Sequence, residues 1–266
     1  MSTTESTNGA LLSLRGISKR FGPVQALTDV SFDIPAGKVS ALIGDNGAGK
    51  SSLIKTIAGL WQPDGGEMLW EGKPIPHSGP RETESMGIKT IYQDLALCEN
   101  LDIVQNMFLG HEKLRSYQLD EDTMEVRARQ TLSELSVTSV RSIRQPVASL
   151  SGGQRQSVAV AKALISDAKL VIMDEPTAAL GVAQTRMVLD LIKTLSGRGV
   201  AVLLISHNLN DVFEVADLIT VLYLGHLAVS GPATDFNRQN AVEYMTTGNA
   251  TKSAGAASPT SKETDA

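Results

Sequence analysis

Apolar positions along the chain follow two rhythms. Val39-Ser40-Ala41-Leu42-Ile43, Leu170-Val171-Ile172-Met173 and Ala201-Val202-Leu203-Leu204-Ile205 are short, nearly unbroken runs, the pattern of strands covered on both faces. Elsewhere apolar residues return at helical spacing: Leu53, Ile54 and Ile57; Met124, Ala128, Leu132 and Leu135; Val158, Ala161 and Leu164; Met187, Leu191 and Leu195. Further strands are predicted at Leu11–Arg15, Val30–Ile34, Met68–Trp70 and Gly87–Tyr92, punctuated by turn clusters at Pro35–Lys38, Gln62–Gly66 and Glu71–Pro74. Asp120, Glu121 and Asp122 favour a helix start and read as its solvated first turn, while Trp61 and Trp70 read as packing residues. The pattern predicts an α/β fold: a core with a mostly parallel sheet, an N-terminal antiparallel β lobe and an inserted helical lobe at about 94–165. Residues 1–10 and 248–266 are polar or small and read as disordered, leaving 11–247 as one domain.

Composition narrows this picture. With 266 residues, the chain has room for one large α/β domain with a lobe and not for a tandem of two. A hydrophobic share of 42% with 20% charged residues is ordinary for a globular protein. The net charge of -5 argues against a nucleic-acid binder. No apolar stretch approaches the roughly eighteen residues of a spanning helix, and the polar start lacks the features of a signal peptide, so a cytoplasmic protein is expected. The one cysteine, Cys98, reads as a buried, inert thiol.

The chemistry begins at Gly44-Asp45-Asn46-Gly47-Ala48-Gly49-Lys50-Ser51, followed by Ser52 at the start of a helix. Strand, glycine loop and helix in that order make the GxxxxGK[ST] pattern a phosphate-binding loop, whose N–H groups and helix dipole attract an anion. Lys50 then reaches the terminal phosphates, and the Ser51 hydroxyl ligates the magnesium that bridges them. Asp174-Glu175 closes a buried strand, where α/β sheets place their ligand chemistry. Asp174 is suited to hold magnesium through water, and Glu175 to act as general base. Ser151-Gly152-Gly153-Gln154 opens an amphipathic segment and reads either as a second anion site or as an ordinary helix cap. His207 follows another buried strand and reads either as a γ-phosphate contact or as structural. His77, His111 and His226 read as surface or strand residues. Phe21, beside Lys19 and Arg20, suits a strand or core position, or stacking on an adenine ring.

Taken in order, Gly44 to Ser51, Gln93, Leu150 to Gln154, Asp174-Glu175 and His207 closely resemble the ATPase subunit of ATP-binding cassette transporters, across roughly residues 11–247. The resemblance implies that Phe21 stacks on adenine and His207 is the switch histidine. It implies that Gln93 senses the γ-phosphate, helps hold magnesium and couples to a membrane subunit. It also implies that Ser151, Gly152, Gly153 and Gln154 of one chain close over the phosphate loop of another, in a homodimer that binds ATP and Mg2+. Tyr92 to Leu97, Asn106 to Gly110 and Glu175 to Leu180 are similar to the ATPases of bacterial monosaccharide importers of the ribose, xylose and fructose group. Integral-membrane permease subunits and, indirectly, a periplasmic sugar-binding protein are the implied partners. The implied place is the cytoplasmic face of the inner membrane, and no nucleic acid is expected. Gly181 departs from the family, which commonly has aspartate there, so that residue's cross-dimer contact is not carried over. Competing readings are a soluble cassette ATPase acting on nucleic acid or ribosomes, a transporter of a non-sugar solute, and a phosphate-loop kinase. The first is disfavoured by the acidic, compact chain, and the last does not need Leu150 to Gln154.

Overall fold

The structure, a computed structural model, describes residues 9–76, 79–135, 137 and 140–249; His77 and most of both termini lie outside them. Ala10 belongs to the first strand, and Gly248 (φ +75°) caps the last helix after Thr247.

β1 (Ala10–Phe21) and β2 (Val24–Pro35) form a long hairpin, far longer than the strand expected at Leu11–Arg15. With β4 (Gly65–Trp70) and β5 (Lys73–Pro74) they make an antiparallel sheet in the order β2-β1-β4-β5. The central sheet contains β3 (Val39–Ile43), β6 (Ile88–Ile91), β9 (Leu170–Asp174), β10 (Ala201–Ile205), β11 (Leu218–Tyr223) and β12 (His226–Pro232). Its order is β12-β11-β3-β10-β9-β6, parallel throughout except for the β12 edge. The last two strands were not anticipated from the sequence.

Alternation along these strands explains why they are apolar on both sides. Val171 and Met173 of β9 face one way, into a core shared with α5 (Gly152–Ile165) and α6 (Val182–Gly197). Leu170 and Ile172 face the other way, toward the antiparallel sheet and α1 (Lys50–Ile57). Truncating one of these fully buried side chains to alanine costs about 2–5 kcal/mol. α7 (Leu209–Val215) and α8 (Arg238–Thr247) cover Ala41, Ile43, Ile219 and Val221.

The inserted lobe is helical, but not throughout. α3 (Ile103–Phe108) and α4 (Glu121–Glu134) are separated by a small hairpin, β7 (Leu114–Arg115) with β8 (Gln118–Leu119), and residues 140–146 form no helix. Asp120 caps α4 through the Thr123 N–H (3.2 Å), whereas Glu121 is not merely solvated but pairs with Arg144 (2.7 Å). α2 (Pro80–Ser85) lies outside the lobe, before β6. Cys98 is half-buried rather than enclosed.

Candidate active site

Parallel strands bring their carboxyl ends to one rim, and that is what gathers residues far apart in sequence. β3 delivers the phosphate loop, β6 delivers Gln93, β9 ends at Asp174 and β10 leads to His207. A cleft of about 760 Å³ opens there, bordered by Asn46 to Ser52, Gln93, Asp174, Glu175, Phe21 and Trp61.

The loop's shape depends on glycine at two close approaches. A Cβ at Gly44 would lie 2.5 Å from the Leu222 carbonyl oxygen, and one at Gly49 (φ +100°) 2.7 Å from that of Ala26. Asp45 ties the turn by accepting from the N–H groups of Asn46 (Oδ1, 2.7 Å) and Ala48 (backbone O, 3.1 Å). α1 has no side-chain cap, and its first intrahelical bond runs from Leu53 N–H to Gly49 O. The N–H groups of Lys50, Ser51 and Ser52 therefore precede that ladder, as an anion requires. Lys50 Nζ folds onto the loop, donating to the carbonyl oxygens of Gly44 (2.8 Å) and Asp45 (3.0 Å). Burial pulls its pKa below the ordinary lysine value, against the opposing influence of Glu175, Asp45 and Asp174.

Facing the loop, the Asp174 carboxyl is pushed above its usual range, chiefly by burial and then by the neighbouring charge of Glu175. Glu175 sits in the left-handed backbone region (φ +51°), an uncommon conformation for such a residue. Its N–H donates to Ile205 O (2.9 Å), so the end of β9 is pinned to the end of β10. Across this junction His207 Nδ1 lies 2.8 Å from Glu175 Oε2. The structure thus brings together the residues expected to act on phosphate, and adds a pairing that the sequence did not show.

At the other end of the cleft Phe21 terminates β1 with 38% of its surface exposed. It is no core residue. Trp61, expected to pack, does so at the border of the cleft, where it meets Phe21 edge to face with ring centroids 4.5 Å apart. Trp70 is buried as expected. Sequence reasoning missed Trp61 and the wall formed by Ala26, Leu224 and Gly225. The only signal for Trp61 was an aromatic soon after α1.

Ser151 to Gln154 do not border this cleft. Ser151 caps α5 in a reciprocal box: the Gln154 N–H donates to Ser151 Oγ (3.3 Å), and the Ser151 N–H donates to Gln154 Oε1 (2.9 Å). A Cβ on Gly152 would come within 2.6 Å of Leu180 Cδ2, the tip of a half-buried side chain that can shift to make room. Gly152 borders a neighbouring groove of about 450 Å³, which also reaches Gln93 and Glu175. Gln93 consequently lies between the phosphate cleft and the start of α5. Gly181 precedes α6, and open space surrounds the place an added Cβ would take.

The ABC transporter family model matches residues 27–178. The fructose import ATP-binding protein FrcA of Rhizobium meliloti is 50% identical over 244 residues, covering 89% of this chain and 94% of FrcA. The xylose/arabinose import ATP-binding protein XylG of Sulfolobus acidocaldarius is 44% identical, with 89% and 94% covered. A ribose import ATP-binding protein of Rubrobacter xylanophilus, RbsA 2, is 42% identical over 87% of this chain but 45% of its own length. Among solved structures, the ADP conformation of MJ1267, an ATP-binding cassette of an ABC transporter, superposes with a TM-score of 0.77 at 26% identity, covering 90% of this chain and 95% of that one. Fold, motif order and overall similarity agree, and the chain belongs to the ABC transporter family as one of its ATP-binding cassettes.

Proposed function

We propose that this protein is the ATP-hydrolysing subunit that energises uptake of a monosaccharide through membrane permease subunits. The observation that carries the ATPase reading is the convergence of Lys50, Gln93, Asp174 and Glu175 on one phosphate-loop cleft. The sugar reading is supported by relatives named for import of fructose, xylose, arabinose and ribose.

In this reading the nucleotide's phosphates enter the loop from Gly44 to Ser52, and Lys50 exchanges two backbone carbonyls for β and γ phosphate oxygens. That exchange restores an anionic partner to a desolvated ammonium. Ser51 and Gln93 offer a hydroxyl and an amide oxygen, and Asp174 a carboxylate that would act through water, a sparse set that would suit Mg2+. Held by these residues, the ion would supply positive charge against that developing on the phosphates. Glu175 takes a proton from the attacking water as its oxygen bonds to the γ phosphorus and the bond to the β–γ bridging oxygen breaks, leaving ADP and phosphate. His207 engages one of the two Glu175 oxygens and holds that carboxylate in place. Phe21 stacks on the adenine.

Ser151, Gly152, Gly153 and Gln154 complete the site from a second copy, a role consistent with their distance from the chain's own cleft. Among the described residues no helix is long and apolar enough to cross a membrane. Attachment to the cytoplasmic face of the membrane therefore comes through the permease, with a sugar-binding protein acting on the far side.

The test is to purify the chain with the membrane protein that accompanies it from gently solubilised membranes and to measure sugar uptake into vesicles. ATP-dependent uptake of a monosaccharide is expected, and Lys50→Ala is expected to abolish it. Turnover that no monosaccharide system stimulates, or that nucleic acid or ribosomes stimulate, would overturn this reading.

A further inference from the structure

Trp61 occupies a position that packing alone does not explain. The chain's other tryptophan, Trp70, is an ordinary core residue at 7% exposure, whereas Trp61 is only half-buried and borders the cleft that holds the phosphate loop. Its place is fixed from both ends. α1 closes through Gly59 (φ +75°), and the Lys55 carbonyl accepts from both the Leu60 N–H (2.9 Å) and the Trp61 N–H (3.1 Å). Three residues on, Asp64 grips β1: its N–H donates to Ser18 O (2.8 Å), and its carboxylate accepts from Lys19 Nζ (3.0 Å) and the Arg20 N–H (2.6 Å). The Lys19 bond is the main reason its pKa lies below the usual carboxylate value. The strand end carrying Phe21 is therefore braced by the same segment that carries Trp61.

Between the rings the angle is 65°, the edge-to-face arrangement that aromatic quadrupoles favour. One face of the indole is covered by the Lys55 ammonium, 4.7 Å from the ring centroid. Lys55 belongs to α1, so the helix that begins at the phosphate loop also supports the aromatic pair. A phenylalanine exposed at a strand end has no intrinsic reason to hold one orientation. Here two neighbours bear on it, Trp61 at 4.5 Å between centroids and the Lys19 ammonium 5.4 Å from the ring centroid.

We propose that Trp61 is the second member of a two-ring platform for the purine base, setting the angle at which Phe21 meets it and covering part of the ring itself. This rests on the reading of Phe21 as the adenine-facing residue. In this arrangement the contribution of Trp61 belongs to the base and not to the phosphates.

The measurement is binding of Mg·ATP and of Mg·tripolyphosphate, which lacks the nucleoside, to the full chain. Trp61→Ala weakens ATP about three- to tenfold, the scale of a lost aromatic contact, and leaves tripolyphosphate unchanged. Trp61→Phe restores ATP to within about twofold of the parent. In the parent, ATP shields tryptophan fluorescence from acrylamide quenching and tripolyphosphate does not. Trp70 contributes little to that signal because it is buried. Trp61→Ala that binds ATP like the parent, while Phe21→Ala is weakened, overturns the platform and leaves the adenine reading standing. Unaltered ATP affinity in Phe21→Ala removes that reading and the platform with it. Equal losses for ATP and tripolyphosphate mark Trp61 as merely structural and also overturn the proposal. Should Trp61→Ala fail to fold, absence of shielding by ATP in the parent is decisive against it.

Discussion

Burial raises the Asp174 carboxyl above its ordinary range, with Glu175 adding to the rise and Lys50 and Lys55 opposing it. A raised folded-state value favours the neutral form. The associated stability is fully present below the unfolded pKa of about 3.9 and is lost as pH rises through the folded value. Asp174→Asn is therefore expected to raise the thermal midpoint of the nucleotide-free protein near neutral pH, and the gain should shrink toward about pH 4. Magnesium-dependent turnover should fall in the same variant. Calorimetry across pH checks the first statement, and a midpoint at neutral pH equal to or below the parent's would refute it. At this scale much of the site was legible in the sequence. The phosphate loop and Asp174-Glu175 are contiguous stretches that end apolar strands, so their place at the strand ends can be read without knowing the fold. Trp61 could not be read, because its contact with Phe21 depends on the turn at Gly59 and on how residues 61–64 meet β1. The Glu175–His207 pair was likewise hidden, since it requires β9 and β10 to be neighbours.

At the level of elements, the helical lobe owes its order to pairings that periodicity does not encode. Residues 143–148 run beside 99–104, with Val147 N–H donating to Leu101 O (3.0 Å) and Ala148 N–H to Glu99 O (3.1 Å). Arg144 fastens that segment to three carboxylates: Glu125 at 2.5 Å, Glu121 at 2.7 Å and Asp102 at 3.2 Å. One guanidinium thus joins the N-cap of α3 and the first turns of α4 to the stretch leading into Ser151. Arg144→Met should lower the thermal midpoint more than Arg129→Met, which removes a single pair within α4. Arg144 holds the Glu125 carboxyl below its usual range. A depressed carboxylate stabilises the fold above its unfolded pKa of about 4.3 and stops doing so as pH falls through the folded value. The difference between the two variants should accordingly persist at neutral pH, narrow in acid and shrink in high salt. Equal midpoints at neutral pH and low salt would show that the network adds nothing. Residues 140–150 carry no regular apolar period, and the helical expectation for the lobe rests on Met124, Ala128, Leu132 and Leu135, so the lobe is less uniformly helical than that stretch suggests. Leu218–Tyr223 was missed for another reason, since Thr220 interrupts an otherwise apolar run.

For the whole molecule, the separation of Ser151 to Gln154 from the chain's own phosphate loop makes association testable. Glu175→Gln removes the base while keeping side-chain size, so it should bind ATP, turn over at least about a hundredfold more slowly and sediment increasingly as a dimer when ATP is present. Adding Ser151→Arg should return it to monomer with nucleotide binding intact. Failure to trap a pair even alongside the permease would reject the two-chain site.

The order of strands in the central sheet has a further consequence, for the growing chain on the ribosome. β3 carries the phosphate loop, yet its two neighbours are β10 and β11, with Val39 opposite Val202 and Ala41 opposite Ile219. During translation the loop emerges early and has neither flanking strand until nearly the whole domain has been made, a delay on the order of ten seconds at elongation rates of about 5–20 residues per second. A nascent chain halted before β10 therefore exposes an unpaired apolar strand and has no formed nucleotide site. Such a chain is expected to need chaperone cover, and a ribosome-bound fragment is expected to gain ATP-dependent resistance to protease only once β11 has left the exit tunnel.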